Sequence, residues 1–134
     1  MRSLALLLGL GCASAQPRPQ GCGAPAERVE VAQIQIGWNA MLTGRPQELP
    51  VVNELNPQRY ERDAEQLAVD LLSRCEKGEP LAPLQQQYSE VGPGTSVIDA
   101  SSGVPFRDAA LCLKPGQCAL VHGPAAYHVV KRLN

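Results

Sequence analysis

Val29 to Ile36 (VEVAQIQI) sets β-branched residues against polar ones at a two-residue period, which places alternate side chains on opposite faces of an extended chain. The segment reads as a strand, ended by Gly37. Its strongest partners lie at the other end of the sequence, where Cys118 to Val121 and Ala125 to Leu133 form a hairpin around Gly123-Pro124. Between these ends the period changes. Asn56-Pro57 offers a cap and a proline suited to a first helical position, and Ala64, Leu67, Ala68, Leu71, Leu72 and Cys75 then share one helical face. Gly78 and Pro80 stop that helix. A shorter one is predicted over Leu81 to Tyr88, with Leu81, Leu84 and Tyr88 on one side. A third begins after Val104, with Pro105 near its start and Phe106, Ala109, Ala110 and Leu113 in register before Lys114-Pro115-Gly116. Val91 to Gly103 is turn-rich, and Ser96-Val97-Ile98 is its one strand-like piece. This order predicts an α+β domain, a small, mainly antiparallel sheet surrounded by three or four helices.

The residues ahead of the domain carry processing signals. Leu4 to Leu10 is an apolar run behind Arg2, and Ala13-Ser14-Ala15 fits cleavage before Gln16, so residues 1–15 read as an export signal. Gly11-Cys12 offers an alternative junction, at which a bacterial lipoprotein is cut and Cys12 is lipidated, tethering the protein to a membrane. The run is far shorter than the roughly 20 residues of a spanning helix. Residues 16–27 (QPRPQGCGAPAE) read as a flexible tether, leaving residues 28–134 as one domain able to bury its own core. The chain has 12 basic and 13 acidic residues; without Arg2 the balance is 11 against 13, or −2, which is no electrostatic footprint for nucleic acid. A monomer in the periplasm or cell envelope is expected, free or lipid-anchored.

Either processing route leaves Cys22, Cys75, Cys112 and Cys118, and an exported chain can oxidise them. Four cysteines permit three connectivities. The short spacing across Lys114-Pro115-Gly116 favours Cys112 with Cys118, and Cys75 reads as a small apolar residue in a helix core. The chain lacks a CxxC pair, and its histidines do not stand beside cysteines as zinc ligands would, so no metal site is expected.

The chain resembles the parvulin-type (PpiC-like) peptidyl-prolyl isomerases. The likeness is carried by Val31-Ala32-Gln33-Ile34-Gln35-Ile36, by Ala64-Glu65-Gln66-Leu67-Ala68 with Gly78-Glu79, and by Leu84 to Glu90. Phe106 to Gly116 (FRDAALCLKPG) and Tyr127-His128-Val129-Val130-Lys131 carry most of it, and together the pieces span the domain from Arg28 onward. The resemblance implies cofactor-free isomerisation of X-Pro bonds in exported, proline-containing polypeptides. The alternative is a catalytically degraded module that holds extended peptide as a chaperone or scaffold.

The resemblance also implies site residues. His128 stands where the family has a histidine in the floor of its active site, and Phe106 matches the aromatic residue of the proline socket. Leu111 matches a second bulky apolar residue. Four positions depart from the pattern. Gln33 replaces the first-strand histidine, Val91 stands where an acidic residue or cysteine is usual, Ser102 replaces a methionine-like socket wall, and Gly123 replaces a threonine. Gln33 can exchange hydrogen bonds but cannot be protonated, so weak turnover is expected. The long loop from Trp38 to Leu55 carries Arg45 alone where phosphate-directed members have a basic cluster, which argues against phosphopeptide specificity. His122, at the last turn, is expected to face solvent.

Overall fold

The computed structural model describes residues 22–38 and 59–134. The leader, Cys12, residues 16–21 of the expected tether, the body of the long loop with Arg45, and the Asn56-Pro57 helix start lie outside the described residues. Within them run β1 (Arg28–Gly37), α1 (Glu61–Glu76), α2 (Leu81–Tyr88), β2 (Thr95–Asp99), α3 (Arg107–Cys112), β3 (Cys118–His122) and β4 (Ala126–Arg132). The strands form one antiparallel sheet in the order β2-β1-β4-β3, so the fold is the expected small α+β type. β1 and β4, the first and last strands, lie side by side at its centre, with Gln35 opposite His128 and Gln33 opposite Val130.

The apolar phase of β1 slips by one residue at Val31-Ala32, and the two cores explain why. Val29 and Val31 point to the face covered by α3, where they pack with Ile98, Phe106, Ala110, Val121 and Val130. Ala32, Ile34 and Ile36 point the other way, into a core with Ala64, Ala68, Leu71, Leu84, Tyr127 and Val129 beneath α1 and α2. Both faces are covered, the second by the six-residue α3. The slip leaves Gln33 and Gln35 on the α3 face, Gln33 opposite Val130 of the α3 core and Gln35 opposite His128.

Helix ends follow local chemistry. Gly78 adopts φ +93° just past α1, a left-handed conformation that glycine enters without a Cβ penalty. There the Gly78 and Glu79 N–H groups donate to Cys75 O and Arg74 O, both at 3.0 Å, closing a Schellman turn. Arg74 adds two side-chain bonds to Glu79, at 2.9 and 2.7 Å. Glu61 and Asp63 sit in the first turn of α1, where the helix dipole favours negative charge.

The disulfide expectation is corrected. Cys22 is bonded to Cys112 and Cys75 to Cys118, not Cys112 to Cys118. Cys112 and Cys118 are close in sequence but serve opposite faces. Cys112 ends α3, whereas Cys118 packs against the core under α1. Cys75 is buried as expected, but as half of a bridge rather than as a free apolar residue. The expected tether is also shorter at its C-terminal end. Besides the Cys22 bridge, Ala26 N–H donates to Leu111 O at 2.8 Å and Ala26 packs on the α3 core, so an arm from Cys22 to Glu27 is fastened to the domain.

Candidate functional site

Where α3 ends its cover, the sheet presents polar side chains. His128 on β4 and Gln33 on β1 lie diagonally across the central strand pair, and their side chains meet with Nδ1 and Oε1 2.9 Å apart. A carbonyl oxygen only accepts, so Nδ1 carries the proton and donates, and Nε2 holds the lone pair. Phe106, at the N-cap of α3, lays its ring 5.2 Å from the imidazole at a tilt of 48°. His128 is 5% exposed and Phe106 2%. Burial disfavours the imidazolium and drives the His128 pKa down to about 4, so the ring is neutral near pH 7. Nε2 leans against Gly123, where an added Cβ would sit 3.0 Å from it and 3.0 Å from Ala126 O. The ring thus fills space that the side chain of a threonine at 123 would take.

The same face continues to the end of β1. Gly37 alternates with Gln33 and Gln35, and its missing Cβ would lie 2.6 Å from Glu90 Oε1, which places that carboxylate over the strand on the His128 side. Glu90 Oε2 accepts from Gly37 N–H and from Arg59 Nη1, each at 2.9 Å, and Arg59 Nη1 also donates to Gly37 O at 3.1 Å. The Arg59–Glu90 pair is largely buried and self-neutralising. Glu90 is therefore occupied at the strand end, where it braces the site rather than replacing an acid beside His128.

β2 stops pairing at Ala32, and side chains take over the exposed edge of β1. Gln85 Nε2 donates to Gln33 O and to Gly94 O, both at 2.9 Å. Ser89 Oγ accepts from Gln35 N–H at 3.1 Å and from Val91 N–H at 3.3 Å, and Glu90 N–H donates to Gln35 O at 3.0 Å. Gln85 and Ser89 are buried, as groups satisfied in this way can be.

Of the predicted residues, His128, Gln33 and Phe106 come together. Leu111 packs in the same core as Phe106 but lines a separate cleft beside the N-terminal arm. Ser102 serves a turn, its hydroxyl accepting from Asp99 N–H at 2.9 Å. Val91 is exposed at the β1 edge, tied to the site only through Ser89. His122 is exposed as expected, yet partnered: Nε2–H donates to Glu61 Oε2 at 2.9 Å and the ring stacks on Trp38, 5.4 Å away at 8°. Sequence reasoning missed Arg59, Gln85 and Ser89 as supports of the face, and the phase slip at Val31-Ala32 was the signal that could have located it. Among the described residues, no group of three His, Cys, Asp or Glu side chains is placed to hold a metal, and no helix is long and apolar enough to cross a membrane.

A scan against protein-family models finds no match to this chain, and a search of the curated proteins finds none either. The physical description therefore stands on the face itself. It offers a neutral, buried imidazole oriented by an amide, an aromatic ring against it, and a braced polar margin.

Proposed function

We propose that the chain is a parvulin-like peptidyl-prolyl isomerase of exported proteins, with weak turnover. The observation that supports this reading is the convergence of His128, Gln33 and Phe106 on one sheet face. The reaction rotates an X-Pro amide through a twisted state, against a barrier of roughly 18–20 kcal/mol. A thousandfold acceleration requires roughly 4 kcal/mol of preferential binding to that state. An apolar ring can hold proline by shape, and a dry polar margin can favour the twisted amide. His128 acts here as a positioning residue, because its proton is committed to Gln33 and its Nε2 faces Gly123. Phe106 is almost fully covered, so proline reaches it only as neighbouring side chains give way. Two disulfides suit the oxidising compartment of an exported protein. Within that setting the chain is a periplasmic or envelope monomer, free or tethered through a lipidated Cys12, and it engages proline-containing polypeptides rather than nucleic acid.

Gln33 favours a second reading, a module that holds peptide without turning it over, because an amide cannot be protonated as the family's histidine can. An isomerisation assay on a series of X-Pro peptides separates the two. The expected result is measurable catalysis by wild type, at least tenfold less with H128A, and a rise with Q33H. Phe106→Leu, which keeps core volume better than alanine, is expected to weaken peptide binding as well. Peptide binding without catalysis in wild type establishes the holding module. Absence of both overturns the proposal.

A further inference from the structure

A cleft of about 360 Å³ separates the N-terminal arm from α3, a volume within the range of small-ligand pockets, roughly 300–1,000 Å³. Its apolar lining is Pro25 and Ala26 from the arm with Ala100 and Leu111, the arm and α3 meeting at its base through the Ala26–Leu111 hydrogen bond. Its charged members are Glu27, Arg107 and Asp108. Arg107 is already committed: Nε donates to Asp108 Oδ1 at 3.0 Å and Nη1 to Ser102 O at 3.4 Å. Nearby Asp99 accepts two bonds from Ser101 and faces Arg28 across the β1–β2 pair. The Glu27 carboxylate, by contrast, makes no hydrogen bond or ion pair among the described residues. The cleft thus combines an apolar lining with a carboxylate, Glu27, that is unpaired among the described residues.

We infer that this cleft is a subsite for a basic side chain of a bound polypeptide, its aliphatic stem lying along Pro25, Ala26, Ala100 and Leu111 and its cationic head meeting Glu27. Lysine and arginine bury their stems and keep their charged ends at a polar rim in this way. The inference deepens the peptide-binding reading and rests on it. Leu111 lies near the C-terminal end of α3, so the subsite sits beside the end of that helix. Its outer wall is the arm, and the arm is held by the Cys22–Cys112 bridge and the Ala26–Leu111 hydrogen bond, so the subsite depends on that bridge being closed.

The test uses three blocked pentapeptides without proline, identical alanine sequences with lysine, norleucine or glutamate at the centre. Binding to the full chain is followed by the amide chemical shifts of Glu27, Arg107 and Leu111. The lysine peptide is expected to bind about fivefold more tightly than the norleucine peptide, the factor given by an exposed ion pair of about 1 kcal/mol. The glutamate peptide is expected to bind weakest. E27Q should abolish the lysine preference, and C22S/C112S should weaken the lysine and norleucine peptides together. No shift at these residues with lysine peptide, or a lysine preference that survives E27Q, overturns the inference. Because the peptides lack proline, this result is independent of the isomerisation assay, and the failure of either reading is recognised separately.

Discussion

His128 concentrates the energetic tension of the site, since a side chain with an ordinary pKa near 6.5 is buried beside an amide and a phenyl ring. Its folded-state pKa of about 4 makes stability depend on pH in a defined direction. Between about 6.5 and 4 the unfolded chain binds the proton that the folded chain refuses, so stability falls as pH falls through that window. Above it the contribution is constant, and below about pH 4 the loss is complete, on the order of 3 kcal/mol. Urea unfolding of wild type and His128→Asn from pH 8 to pH 4 checks this, and the variant should lose less stability over that range, the difference being about that amount. Gly37 carries a related constraint, because a methyl there would meet Glu90 Oε1 at 2.6 Å and Ala125 O at 3.2 Å. Gly37→Ala must displace the Glu90 carboxylate from Arg59. A loss of about 1–2 kcal/mol in urea unfolding is expected, and an unchanged midpoint would mean that the pair moves without cost.

At the scale of elements, β1 does two different jobs along its length. Its first half, Arg28 to Ala32, pairs with β2 and is packed by α3, and only Val31 and Ala32 are paired on both sides. Its second half is paired only with β4, and the segment around the end of α2 completes its hydrogen bonding through side chains. This arrangement links α2 to the site, since Gln85 holds the carbonyl of the residue whose side chain orients His128. Gln85→Ala removes both donors from Gln33 O and Gly94 O, and a buried unsatisfied carbonyl costs about 1–3 kcal/mol. Equilibrium unfolding should register that loss, and the His128 ring proton shifts should move even though Gln85 does not touch the ring. An unmoved His128 resonance would show that the β1 edge does not position the site.

For the whole molecule, the bridges fasten opposite sides of one sheet. Cys75–Cys118 ties the end of α1 to the start of β3, and Cys22–Cys112 ties the arm to the end of α3. Removing either is expected to cost about 2–5 kcal/mol, given loops of 43 and 90 residues. Peptide mapping without reduction should recover these two links, and a Cys112–Cys118 link would overturn the assignment. The strand and helix segments and the α+β class were legible in sequence because local period and turn residues encode them: Leu81 to Tyr88 reads as a helix and forms one. The nearness of His128, Gln33 and Phe106 was legible only through the resemblance, for nothing local to Gln33 announces a partner 95 residues away. Pairing of the cysteines was not legible, because spacing along the chain says nothing about which face of a sheet a residue serves. Nor was the role of Gln85, whose amide matters only because β2 ends early beside it. What the sequence determined by itself is where the chain runs helical or extended and which side chains avoid water. Only the tertiary structure decided which face each one meets, because side chains such as Gln33 and His128 find one another only once β1 and β4 lie side by side.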